Sequence, residues 1–301
     1  MGKKQWFFLG SAIVIIIMVI SLAAFKLQPG IDFTGGTSMT LNFTPQVEHD
    51  ELRQELTALG YSEAIIQKSE DNFLIRIKEI SVEEKEALIS GLETGLDTEI
   101  GILNHDTISP VIATETARNA GIAVAIAAVA MLIYIAWAFR RMPSPFRWGT
   151  CAIIALIHDV LIVLGVFAIL GQVANVEVNA LFITAILTIV GYSINNSVVV
   201  FDRVRENKTK GISPDFAVTV NSSLIETLAR CLNTSLTTLL VILALLLFGG
   251  TTIHYFVLAL FIGVLVGTYT SIFIAGPLLV VWEKGEWKQM FPWRSSPQKA
   301  A

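Results

Sequence analysis

Apolar residues gather into six long runs: Trp6–Phe25, Ala120–Phe139, Trp148–Leu170, Asn179–Phe201, Leu232–Phe248 and Ile253–Trp282. Each is near the ~20 residues a helix needs to cross hydrocarbon. The pattern predicts a polytopic α-helical membrane protein with six transmembrane helices. Between the first two runs, from Gln28 to Arg118, the pattern changes. It reads as strand (Thr37–Phe43), helix (Val47–Leu59), strand (Ala64–Ser69), strand (Asn72–Lys78), helix (Val82–Leu92) and strand (Thr107–Ile112). Leu52, Leu56 and Leu59 give the first helix one apolar stripe, and Val82, Leu88 and Leu92 do so for the second. Glu70-Asp71-Asn72 suits a hairpin turn. The order β-α-β-β-α-β predicts an α+β ferredoxin-like domain. The expected organisation is a first transmembrane helix over 6–26, a soluble domain over 28–118, a five-helix bundle over 119–282 and a tail over 283–301.

Charge then orients the chain. A hydrophobic fraction of 53% and a charged fraction of 15% exclude a soluble globule. The segment Ile31–Glu115 carries 17 of the 25 acids but five of the 21 bases, namely Arg53, Lys68, Arg76, Lys78 and Lys85. Lys3, Lys4, Arg140, Arg141, Arg147, Arg203, Arg205, Lys208, Lys210, Arg230, Lys284, Lys288 and Arg294 fall on the other side of the spans. The loops Gly171–Glu177 and Gly249–Thr252 hold no base. The positive-inside rule then places both termini in the cytoplasm and the acidic domain outside. The first run is longer than the apolar core of a cleaved leader and no small-x-small site precedes Lys26, so a retained anchor is expected. Cys151 and Cys231 sit at the cytoplasmic ends of spans, where no disulfide is expected.

Polar residues inside the runs are the place to look for function, because they are expensive in hydrocarbon and usually turn inward. Thr184, Thr188, Gly191 and Asn195 share one helical face. Asn233 aligns with Thr237, and Thr234 with Thr238. Gly263 and Gly267 form a small-xxx-small pair that lets backbones approach, and Gly276-Pro277 marks a kink. These groups serve helix association or line a path. His158 and Asp159 lie near the middle of the third run, where a charge costs ~3 kcal/mol to insert. Asp159 is either a neutral hydrogen-bonded group or a member of a proton or ion relay. Arg230 stands at the cytoplasmic mouth of the fifth run, placed either to snorkel to lipid phosphate or to meet a partner. Ser213-Pro214-Asp215 reads as a helix start, with Ser213 as cap, opening an amphipathic helix (Phe216–Leu228) along the inner membrane surface. The chain has no zinc spacing, P-loop, dinucleotide fingerprint or nucleophile elbow. No catalytic residue, metal or cofactor is expected, nor any nucleic-acid partner.

Several of these segments in series carry a resemblance. They are Gly30-Ile-Asp-Phe-Thr-Gly-Gly-Thr37, Ile157-His-Asp-Val160, Gly191-Tyr-Ser-Ile-Asn195 running into Phe201-Asp-Arg-Val-Arg-Glu-Asn207, Asn233-Thr-Ser-Leu-Thr-Thr238 and Gly267-Thr-Tyr-Thr-Ser-Ile-Phe273. Together they resemble the SecF family of bacterial protein-export membrane subunits, within the resistance-nodulation-division superfamily. The resemblance implies a partner, SecD, supplying six more spans, and association with the SecYEG channel in the bacterial inner membrane. It further implies unfolded preprotein as substrate and an ion gradient as the energy source. The implied ion-path or polar candidates are Asp159, Asn195, Asn196, Arg230 and Thr234. One position departs from the family pattern: Asn196 stands where the family carries an Asp that is paired with an Arg matching Arg230. An amide cannot take up and release a proton near neutral pH. Asn196 is thus expected to be a neutral partner of Arg230, with the titrating group either on SecD or at Asp159. The competing readings are an uncoupled scaffold subunit of the same complex and a small-molecule efflux transporter of the same superfamily.

Overall fold

The computed structural model describes residues 4–285 apart from Glu70, Arg141 and Pro143. The expected tail beyond residue 285 and the Glu70 corner of the hairpin lie outside the described residues. In chain order the elements are α1 (Lys4–Phe25), β1 (Gln28–Pro29), α2 (Ile31–Thr34), β2 (Gly36–Thr44), α3 (His49–Ala58), β3 (Ile65–Ser69), β4 (Asn72–Ile77) and α4 (Val82–Leu96). There follow β5 (Glu99–Ile108), α5 (Pro110–Ala138), α6 (Pro145–Ala174), β6 (Glu177–Val178), α7 (Ala180–Thr209), α8 (Phe216–Phe248) and α9 (Thr251–Thr270). A π-helical turn (Ser271–Ala275) then leads into α10 (Gly276–Lys284). Six helical stretches among the described residues are long and apolar enough to cross a membrane. The chain divides into two compact units.

The sheet-bearing unit, which the sequence reading expects to be the soluble one, comprises Gln28–Ile122 and, less expectedly, Glu177–Ala180. Its main sheet is antiparallel throughout, in the order β3-β4-β2-β5. Met39, Leu41 and Phe43 of β2 alternate inward with Phe73, Ile75 and Ile77 of β4. The stripe residues Leu52 and Leu56 of α3, and Leu88 and Leu92 of α4, complete this core. Val82 is exposed and stands outside it. Ser81 caps α4 through the Glu84 amide (3.2 Å), and the Glu84 carboxylate accepts from the Ser81 amide (2.8 Å). Two boundaries differ from the pattern reading. The last strand starts at Glu99, not Thr107, and is over by Pro110, which opens α5. Most of β5 is exposed, so apolar alternation along it is weak. Proline suits the first turn of a helix and not the end of a paired strand.

Gly35 and Gly36 have φ of +76° and +125°. A Cβ on Gly35 would lie 3.0 Å from the Pro110 Cα, and one on Gly36 would lie 2.5 Å from the Ile77 carbonyl oxygen. Only glycine fits this crossing. The same segment holds the short strand β6. β1 and β6 pair in parallel, the Gly30 amide donates to the Val178 carbonyl (2.8 Å), and the Ala180 amide donates to Asp32 Oδ2 (2.7 Å). Glu177, nearly buried, forms an ion pair with Arg76 of β4. The loop 171–177 holds no base, and its last residue, Glu177, belongs to the sheet-bearing unit.

In the other unit α1 lies close along α6: a Cβ on Gly165 would fall 2.5 Å from that of Met18. Phe139, Trp148 and Phe201 form an aromatic cluster where α5 ends, α6 begins and the apolar part of α7 gives out, with centroids 5.3–6.0 Å apart. Beyond it α7 enters an ionic network. Arg203 pairs with Glu206 and Glu226, while Asn207 donates to Ser223 and Glu226 (both 3.0 Å). Glu283 of α10 faces Arg147 (3.2 Å) and Lys208 (3.6 Å). The structure corrects the reading of residues 213–248. Phe216–Leu228 is not a separate helix but the first part of the 33-residue α8, because no glycine or proline interrupts Phe216–Phe248. Its cap is Asp215, accepting from the Ala217 amide (2.9 Å), and Ser213 instead accepts from the Asp215 amide (3.1 Å). The irregularity expected at Gly276-Pro277 takes the form of the π turn just before it. Proline supplies no N–H to the preceding turn, and a π turn is one way to absorb that loss.

Candidate functional site

Asp159 is the one acid within the six apolar runs, and it is fully buried. Neighbouring positions on a helix point ~100° apart, so His158 and Asp159 of α6 reach different neighbours. Asp159 Oδ2 accepts from Ser193 Oγ of α7 at 2.5 Å. Its Oδ1 lies 3.1 Å from His158 Nδ1. His158 Nδ1 is also 3.2 Å from Thr270 Oγ1, and its Nε2 is 3.1 Å from Ser11 Oγ of α1. Ser11 donates to the Tyr269 hydroxyl (3.3 Å), which donates to the Phe7 carbonyl (3.3 Å). Gly267 makes room for this arrangement: a Cβ there would lie 3.2 Å from Ser193 Cβ and 3.4 Å from Asp159 Oδ2. Gly263, one turn earlier, faces Ile189 of α7, whose Cδ1 would be 2.3 Å from an added Cβ. The small-xxx-small pair therefore seats α9 against α7 within the chain.

A second buried group centres on Ser235 of α8. Its Oγ accepts from Tyr192 (3.0 Å) and from Asn196 Nδ2 (3.3 Å), and it lies 2.7 Å from Thr268 Oγ1. Asn196 is 2% exposed, whereas Arg230 is exposed. The structure does not bring the two together: the amide expected to meet Arg230 is turned inward to Ser235.

Arg230 belongs to a third, outward group. Thr184, Thr188 and Asn195 of α7 are exposed, as are Arg230, Asn233, Thr234 and Thr237 of α8. The threonine hydroxyls satisfy themselves on their own helices, Thr188 on the Thr184 carbonyl (2.8 Å), Thr234 on Arg230 (2.9 Å) and Thr237 on Asn233 (3.0 Å). The Arg230 guanidinium makes no ion pair among the described residues. The polar segment of α7 is thus split, with Ser193 and Asn196 inward and Thr184, Thr188 and Asn195 outward.

Pattern reading reached His158, Asp159 and the glycine pair but not the role of Ser11, Ser193, Tyr269, Thr270 or Ser235. One signal was available: Ser11 is the only polar side chain between Trp6 and Ile20. The pairing of Asp32, Arg76 and Glu177 with their partners was likewise missed, although Glu177 is the single acid of its loop.

Known proteins share this architecture. The family model for the protein export membrane protein SecD/SecF, C-terminal, matches residues 89–285, and that for the SecD/SecF GG motif matches residues 20–47. The protein translocase subunit SecF of Thermobaculum terrenum is 42% identical, over 98% of this chain and 96% of that one. The SecF subunit of Anaerolinea thermophila is 39% identical, over 100% of this chain and 99% of that one. The crystal structure of SecDF, a translocon-associated membrane protein from Thermus thermophilus, matches at 38% identity with a TM-score of 0.85. That match covers 94% of this chain, and the chain spans 38% of the solved SecDF chain.

Proposed function

The chain belongs to the SecF family of protein translocase subunits, and from that premise we propose that it works with SecD to draw on a transmembrane ion gradient for preprotein export through SecYEG. It is a mechanical subunit of the translocase and not a chemical enzyme. The observation that carries this reading is the outward polar face of α7 and α8. Arg230, Asn195, Asn233 and Thr234 are exposed on the isolated chain, and such groups cannot be left to lipid tails. Six further spans from SecD would cover them and bring Arg230 an acidic partner. The soluble unit, with strand order β3-β4-β2-β5 and two helices over one face, is read as a ferredoxin-like extracytoplasmic domain that handles emerging preprotein. The distribution of lysine and arginine supports cytoplasmic termini.

Late-stage preprotein export, measured in membrane vesicles with and without an imposed proton or sodium gradient, tests the reading. Export should rise with the gradient and lose that response when Arg230→Gln is introduced. An identical benefit with the gradient collapsed would sink the coupling and leave an uncoupled scaffold. Asn196, an amide buried at the position of the family carboxylate, is the observation that favours that second reading.

A further inference from the structure

We infer that Asp159 and His158 form a proton-binding centre of this chain's own, apart from the Asn196 and Arg230 positions, and that it exchanges its proton through Ser11 and Tyr269 toward the N-terminal end of α1. The donor geometry closes without conflict when Asp159 is protonated. Oδ1–H donates to His158 Nδ1, Ser193 donates to Oδ2, and Thr270 donates to the Val266 carbonyl (3.0 Å). His158 Nε2–H then donates to Ser11, Ser11 to Tyr269, and Tyr269 to the carbonyl of Phe7, in the first described turn of α1. Every donor in this series has one acceptor and all point the same way.

Proton release follows the series. The Asp159 Oδ1–H bond breaks as Nδ1–H forms, Nε2–H breaks as an O–H bond forms on Ser11, the former Ser11 proton passes to the Tyr269 oxygen, and the Tyr269 proton leaves to water at the membrane surface. Asp159 is left ionised, accepting from Ser193 and from the imidazole, whose tautomer has changed. Among the described residues, no charged side chain other than this pair contacts His158 or Asp159. α1 between Gln5 and Phe25 and α7 between Ala180 and Phe201 carry no charged residue. From α9, Tyr269 is the titratable group that joins the series. Both Asp159 oxygens keep a partner in either protonation state, Ser193 on Oδ2 and the His158 imidazole on Oδ1.

This inference takes its purpose from the ion-coupled reading above, but its test does not. Infrared difference spectra of the SecD-containing complex in lipid nanodiscs, taken between acidic and alkaline buffer, report protonated carboxyl groups. A carboxyl C=O band should titrate, be lost in Asp159→Asn, and move in Ser193→Ala because its hydrogen bond is gone. Asp159→Glu should retain a displaced band, which guards against simple misfolding of the Asn variant. Ser11→Ala should slow deuterium exchange of that band and Ser11→Thr should restore it. No band lost in Asp159→Asn, or a band abolished by added sodium at fixed pH, would overturn the proton site. A titrating Asp159 band alongside gradient-insensitive export would support the site while refuting the coupled reading.

Discussion

Asn196 is held by one buried hydrogen bond of 3.3 Å to Ser235, and its substitutions separate size from charge. Asn196→Ala removes that bond and should cost on the order of 1 kcal/mol, seen as a small drop in the thermal midpoint of the purified chain. Asn196→Asp places a carboxylate where none of the described residues brings a cation, so it should destabilise the isolated chain considerably more. Addition of SecD should reverse part of that loss if a partner group faces the site. Equal midpoints for the two variants would refute this account. Asp215 offers a pH test outside the spans. The Lys284 ammonium (2.8 Å) and the Ala217 amide hold its carboxyl below the ordinary carboxylate range. A lowered folded value means the carboxylate stabilises the cap above its unfolded pKa of ~4 and loses that effect as pH falls through the folded value. Protection factors of amides in the first turn of α8, corrected for the intrinsic pH dependence of exchange, should therefore fall with acid in the native protein, and Asp215→Asn should remove that fall. The residue types at Asp159 and His158 were legible as candidates because charge in a span is rare. Their partners were not, since a serine in an apolar run shows its role only when another helix supplies the acceptor.

At the scale of elements, the α9–α7 contact makes a prediction that side chains can rescue. Gly263→Ala forces a methyl into Ile189 and should lower stability. Adding Ile189→Ala should recover much of the loss, because the pair share one contact and couple non-additively. Thermal unfolding in detergent for the two singles and the double checks this, and simple additivity would place the strain elsewhere. The six spans and the strand–helix order of the soluble unit were readable because periodicity and length decide them. β5 escaped because an exposed edge strand carries little alternation. The continuous α8 escaped because Glu226 and Arg230 interrupt its hydropathy while leaving its backbone propensity intact.

For the whole molecule, the charge distribution predicts that a cysteine at exposed Ser62 reacts with an impermeant thiol reagent from outside intact cells. One at exposed Ser144 should react only after the membrane is opened; the reverse labelling would overturn the topology. The β1–β6 pairing has a mechanical consequence for this topology. Four connections join strands of the sheet-bearing unit to long helices: Lys26-Leu27 between α1 and β1, Ser109 between β5 and α5, Asn175-Val176 between α6 and β6, and Asn179 between β6 and α7. Links this short carry almost no slack, unlike a flexible tether whose reach grows with its length. Within that unit the β1–β6 ladder is two residues long, so it is the pairing that opens most readily. The Gly30 amide, bonded to the Val178 carbonyl, is then a gauge of that event: Glu177→Gln should speed its hydrogen exchange while leaving amides of β2 and β4 protected.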